Sequence, residues 1–135
     1  MPTTKPCKDC GSTTRKTPHP GPRCASCHRA VVAARREASW ALSISTRYGI
    51  TDHEYKAILS AQLGKCAICQ RATGATRRLA VDHDHAVEAE HGVRASVRGL
   101  LCKPCNRLLG HARDEPAFFE RAIAYLTNPP ARQVL

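Results

Sequence analysis

Four successive titratable side chains, Asp82-His83-Asp84-His85, and an asparagine farther on, Asn106, are the residues of this chain best suited to chemistry. Histidine can act as a general base near neutral pH, and a carboxylate with a carboxamide oxygen can hold a hard cation such as Mg²⁺. Hydrolysis of a phosphodiester demands those functions: an activated water, neutralised charge on the phosphoryl oxygens and a stabilised 3′ leaving oxygen. An exposed polar loop or a second metal site would use the same residue types, so type alone does not choose among them. On an extended backbone Asp82 and Asp84 share one side and His83 and His85 the other. Only a bend or bulge would turn Asp82 and His83 towards one cavity.

All eight cysteines fall into Cys-x-x-Cys pairs: Cys7 with Cys10, Cys24 with Cys27, Cys66 with Cys69, and Cys102 with Cys105. Paired knuckles offer Zn²⁺ four thiolates from two short turns, whereas four short-loop disulfides in one small chain would be unusual. The two N-terminal pairs are separated by thirteen residues, which is zinc-ribbon spacing, and the other two bracket the Asp-His tetrad. Zinc on Cys66, Cys69, Cys102 and Cys105 would close a loop of thirty-two residues. Metal binding then becomes part of the folding free energy and lets a very small unit be rigid. Spacing leaves the pairing open, since Cys24 and Cys27 with Cys66 and Cys69 also satisfy it.

The elements that must position these groups follow from pattern. Residues 1–28 are rich in Pro, Thr, Lys and Cys and lack periodicity, as a loop-dominated metal module would. Arg29 to Arg47 lacks Gly and Pro and predicts a helix with Val31, Ala34, Ala38 and Leu42 as its apolar stripe and Arg29, Arg35 and Arg36 on its polar face. Thr51-Asp52-His53-Glu54 is a capping box opening a second helix, with Tyr55, Ile58, Leu59 and Leu63 inward and Gly64 as its stop. Arg78 to Val81, leading into Asp82, and Val97 to Leu101 read as strands, with Glu88 to Arg94 as a loop between them. A helix follows through Asn106 to about Ala112. Pro116 then opens a last helix with Phe119, Ala122, Ile123 and Leu126 inward.

Twenty-one Lys and Arg against eleven Asp and Glu leave a net charge of +10, a footprint that suits a polyanion and disfavours a protein-interaction adaptor. Arg35, Arg36, Arg94 and Arg98 are candidate phosphate contacts, joined by Lys8, Arg15, Lys16, Arg23 and Arg29 around the N-terminal knuckles. Aromatic residues make up only 4% of the chain, so the core needs help from cross-links. No apolar run approaches the roughly 20 residues that span a bilayer, and the polar N-terminus does not read as a signal peptide. Thiols kept for metal point to a reducing cytoplasm.

Gly64-Lys65-Cys66-Ala67-Ile68-Cys69, Val81-Asp82-His83-Asp84-His85, and Val97-Arg98-Gly99-Leu100-Leu101-Cys102-Lys103-Pro104-Cys105-Asn106 followed by Leu109-Gly110 closely resemble the phage recombination endonuclease VII family of His-Asn-His, or ββα-metal, nucleases. The likeness covers about residues 48 to 113. It implies Asp82 and Asn106 as ligands of a catalytic Mg²⁺ or Mn²⁺, His83 as the base that activates water, His85 as a further active-site residue, and structural zinc on the four cysteines. It also implies cleavage leaving a 5′-phosphate and a 3′-hydroxyl. Members that resolve branched DNA carry an acidic residue shortly after the asparagine, where this chain has Leu109.

The expected fold is α+β: a small, helix-rich, ββα-metal nuclease core stapled by a four-cysteine zinc site, with an N-terminal zinc-knuckle module. Its expected divisions are a zinc-ribbon-like module at 1–28, a helical scaffold at 29–63, the nuclease core at 64–113, and a C-terminal helix and tail at 114–135. The expected function is a metal-dependent DNA endonuclease, a nickase or a branched-DNA nuclease, with two structural zinc ions, DNA as partner and no membrane association. Neither monomer nor homodimer is selected. The rival is a non-catalytic zinc-ribbon protein that binds nucleic acid.

Overall fold

A computed structural model describes residues 5–13 and 21–135. The chain divides into two compact units, Met1–Asp52 and His53–Leu135. Arg15 and Lys16, two of the candidate phosphate contacts, lie outside the described residues.

In the first unit Cys7 to Cys10 form a tight turn, closed by Gly11 N–H donating to the Cys7 carbonyl at 2.8 Å. Gly11 takes φ +67° there, a left-handed conformation that glycine adopts without a Cβ penalty. Helix α1 spans Ala25–Tyr48 with Cys24 as its N-cap. It therefore starts earlier than Arg29, because the second knuckle is folded into its first turn. Gly49 ends it in a left-handed cap, its N–H donating to the Ser45 carbonyl. The expected stripe is not the covered face: Ala34, Ala38 and Leu42 are exposed and Ile44 is buried. In an alanine-rich helix the large side chains have most area to bury, and Trp40, Ile44 and Tyr48, four residues apart, set the face instead.

The second unit follows from helix α2, Asp52–Ala61, whose Tyr55 is buried and donates its hydroxyl to the Leu79 carbonyl at 2.8 Å. Leu63 is exposed rather than inward, since the helix has ended by then and both Leu63 (φ +55°) and Gly64 (φ +72°) turn left-handed. Strands β1 (Ala80–His83) and β2 (Val97–Leu101) pair antiparallel, Ala80 opposite Leu101 and Val81 opposite Leu100. Helix α5, Lys103–His111, packs on β1. Leu79, Val81, Leu100, Leu101, Cys66, Cys105 and Ala112 form the buried core.

The stretch between the strands is helical, contrary to the loop expected over Glu88 to Arg94. Asp84 caps it: Oδ1 accepts from the N–H of Ala86 at 2.9 Å and of Val87 at 3.1 Å, starting helix α3 at His85–His91. Gly92 then breaks the chain at φ +84° before a single turn, α4, Val93–Ser96. The glycine is a break between two helical pieces rather than the centre of a loop. Helix α6, Pro116–Thr127, leaves Ile123 and Leu126 at 64% and 75% exposure, so only Phe119 and Ala122 of the expected inward face are partly covered. The resulting fold is α+β, helix-rich, with one two-stranded sheet.

Candidate active site and zinc centres

Two four-cysteine clusters form, Cys7 with Cys10, Cys24 and Cys27, and Cys66 with Cys69, Cys102 and Cys105, which settles the pairing that spacing left open. In each, the second knuckle straddles the start of a helix: Cys24 caps α1 and Cys102 caps α5. In each, the capping cysteine's N–H donates to the first sulfur at 3.3 Å, Cys24 to Cys7 and Cys102 to Cys66. The same device is used twice. Helix N-termini favour negative charge, so thiolates there are stabilised.

The sulfur spacing fits zinc. Cys10 Sγ and Cys24 Sγ lie 3.8 Å apart, as do Cys69 Sγ and Cys102 Sγ. Tetrahedral coordination with Zn–S bonds of about 2.3 Å places sulfurs about 3.8 Å from one another. Backbone hydrogen bonds bring the Cys69 thiol down to about 6 and the Cys7 thiol likewise. Burial pushes the Cys105 thiol up to about 12, and its neighbouring thiols, Cys24 first, do the same for Cys27. A cation that replaces all four protons resolves that conflict within each cluster. These clusters could hold structural zinc.

In sequence the Asp-His tetrad lies between the two knuckles of the second cluster. The sheet register slips between Asp82, opposite Gly99, and His83, opposite Val97, so Arg98 is the extra residue of a bulge in β2. The tetrad still sorts into two pairs, as an extended backbone predicts. Asp82, at 7% exposure, receives Arg98 Nε on Oδ2 at 2.7 Å and Arg98 Nη2 on Oδ1 at 3.1 Å. The same guanidinium donates to Asp114 Oδ1 at 3.1 Å and lies 3.9 Å from Asp84. Asp82 first and then Asp114 raise the Arg98 pKa further above its ordinary value.

On the other side His83 and His85 meet edge to face, ring centroids 4.6 Å apart. His83 Nε2 lies 3.2 Å from Glu88 Oε2, and His85 Nδ1 lies 3.7 Å from the same oxygen. One donor atom from each of the three falls within 4.8 Å of the others, close enough for a divalent ion to bridge. Glu88 escaped the sequence reading because it was assigned to a loop. Its signal was the spacing of a cap at Asp84 and an acidic residue one turn on.

Asn106 sits on α5 one residue after Cys105 and lines a cleft of about 720 Å³ that Asp82 and His83 do not line. Of the candidate DNA contacts, Arg94 is held by the Glu54 carboxylate, one bond at 3.0 Å, and Arg98 is held as above. Arg35 and Arg36 are exposed on α1.

Two antiparallel strands and a helix, joined through a four-cysteine cluster that could hold zinc, carry Asp82, His83 and Asn106. The model of the recombination endonuclease VII family matches residues 41–128, and the chain belongs to that family, which makes it an endonuclease acting on DNA. Gene 59 protein of Mycobacterium phage L5 is 52% identical over 136 residues, covering 97% of this chain and 79% of the relative. Gene 59 protein of Mycobacterium phage D29 is likewise 52% identical, covering 97% and 78%. No solved structure matches. No helix among the described residues is long and apolar enough to cross a membrane.

Proposed function

We propose that the protein hydrolyses DNA phosphodiesters in a metal-dependent reaction of the His-Asn-His type, with His83 as base. The observation that carries this is the His83–Glu88 contact at 3.2 Å, with His83 24% exposed at the end of a strand that packs against the zinc-clamped α5. A proton kept on Nε2 by the Glu88 carboxylate places basicity on Nδ1, where it can accept a proton from water. Asp82 and Asn106 supply oxygen donors of the kind Mg²⁺ or Mn²⁺ takes, and each Asp82 oxygen retains a lone pair beyond the one Arg98 uses. A bound cation would neutralise phosphoryl charge and stabilise the 3′ oxygen, giving a 5′-phosphate and a 3′-hydroxyl. The nuclease core is assigned to residues 64–113, between an N-terminal zinc module at 1–28 with a helical scaffold at 29–63, and a C-terminal helix and tail at 114–135. Like its phage relatives, it would act in a host cytoplasm.

The test is cleavage of end-labelled duplex across a Mg²⁺ and Mn²⁺ titration. Asp82→Ala and Asn106→Ala should raise the metal concentration needed while zinc content stays constant, and the products should ligate without prior phosphorylation. Metal-independent cleavage by the wild type would overturn the reading. A second reading, favoured by the spacing of His83, His85 and Glu88, puts the ion on those three. There His85→Ala would shift the metal requirement and Asp82→Ala would not; with the ion on Asp82 and Asn106 the outcomes are reversed.

A further inference from the structure

The cleft beside Asn106 is built between the segment 71–80, which follows the Cys69 knuckle, and the first turns of α5. Arg71, Arg77, Arg78, Lys103 and Arg107 all line it, and no carboxylate does. Lys103 and Arg107 are four residues apart on α5 and so project from one face. A tetrathiolate zinc centre is formally doubly negative, and five cations exceed what its neutralisation needs. Arg94 and Arg98, which follow the tetrad in sequence, have their charge committed to Glu54, Asp82 and Asp114. Arg71, Arg77, Lys103 and Arg107 have no such carboxylate among the described residues.

The lining also lacks any aromatic ring. Single-strand binders stack bases on aromatic side chains, and sequence readers present groups to base edges; a wall of cations and small residues does neither. It fits a chain of phosphates. We infer that this cleft seats the phosphodiester backbone of one strand of duplex DNA, irrespective of base sequence, leading it past Asn106 to the site of cleavage. The inference rests on the nuclease reading and names the surface by which that site takes its substrate.

Phosphate contacts have a measurable signature: each releases condensed counterions, so the dependence of log affinity on log salt loses about 0.9 to 1 per contact removed. The measurement is fluorescence anisotropy of a labelled duplex, without divalent metal, using His83→Ala so that bound DNA is not cut. Adding Arg71→Gln, Arg77→Gln and Arg107→Gln together should flatten the salt slope by about 3 and weaken binding at low salt by about tenfold or more. Two duplexes of unrelated sequence should lose affinity by the same factor. Arg121→Gln, which removes the partner of Glu115 on α6, should leave the slope where it was. Zinc content and circular dichroism verify folding. If the triple change disrupts the fold, Arg77→Gln and Arg107→Gln singly should each flatten the slope by about 1.

Unchanged slope and affinity in a folded variant would overturn the inference while leaving the nuclease reading intact. A loss confined to one of the two sequences would overturn the backbone assignment. If the His83→Ala parent itself binds no duplex at low salt, the inference is overturned as well, while the nuclease reading fails only if the wild type cuts no DNA with Mg²⁺ present.

Discussion

The guanidinium of Arg98 is the contact on which Asp82 depends. It makes two charge-assisted bonds to a carboxylate that is almost wholly buried and a third to Asp114, tying β2 to the chain beyond α5. Removing it leaves Asp82 buried without its partner, and hydrogen bonds to charged groups are worth about 1.5–3 kcal/mol. Arg98→Ala should therefore lower unfolding stability by about 2 kcal/mol at neutral pH, read as a lower urea midpoint with unchanged slope. A midpoint matching wild type would show that Asp82 is held by something else. At this scale the sequence was most informative: Asp82 and Asp84 share the Arg98 side, His83 and His85 meet on the other, and every Cys-x-x-Cys pair enters a four-cysteine cluster. Arg98 was legible as a charge near the site, but its role in holding Asp82 was not, because it depends on a bulge that no residue pattern marks.

Two elements carry the site, β2 and α3, and one side chain makes an anchoring contact to each. Gln62 donates Nε2 to the carbonyls of Lys65 and Leu100, at 2.8 and 2.9 Å, and accepts the Leu100 N–H at 2.8 Å. It covers the open edge of β2, and a Cβ at Gly99 would fall 2.9 Å from its Oε1, which accounts for the glycine in that strand. Gln62→Leu orphans the N–H of Leu100, a wholly buried residue whose carbonyl keeps the Ala67 N–H at 3.2 Å, and should cost about 1–3 kcal/mol, again by urea unfolding. An effect under about 0.5 kcal/mol would mean that water or a rearrangement replaces those bonds.

Helix α3 depends on Asp84 in the same way. The amides of Val87 and Ala86 hold its carboxyl below the usual carboxylate value, the Val87 bond being the largest cause. A depressed folded-state value means that the stabilisation is present above the ordinary carboxylate range and is lost as pH falls through and below it. Protection factors of the Ala86 and Val87 amides, taken relative to intrinsic exchange at each pH, should fall on acidification before those of β1, and in Asp84→Ala they should be low at every pH. Both helices flanking Gly92 were misread as loop because the glycine was weighed and the cap before it was not. The strands were legible from their β-branched and apolar residues. The inward face of α6 was not, since period alone cannot say which part of an apolar helix finds a neighbour.

Across the chain, aromatic residues are scarce and buried residues are few, so each compact unit has only a small core. The repeated device, a knuckle whose second half caps a helix, puts one four-cysteine cluster that could hold zinc in each unit. Purified protein should contain two zinc ions per chain. Cys7→Ser should lower that to one while DNA cleavage survives in part, and Cys66→Ser should lower it to one with cleavage abolished, because α5 and the strands lose their clamp. Metal analysis beside circular dichroism under a strong chelator checks this, and a folded, active protein free of zinc would refute it.

The most direct test of the central claim is to incubate the zinc-loaded protein with supercoiled plasmid, linear duplex and a four-way junction, with Mg²⁺ or with chelator of Mg²⁺, beside His83→Ala. The wild type should cut at least one of these substrates only when the cation is present. His83→Ala, with zinc and fold retained, should be slower by roughly 10²–10⁴-fold, the contribution of a general base. Failure of the wild type to cut any of the three, or cutting by His83→Ala at the wild-type rate, would contradict it.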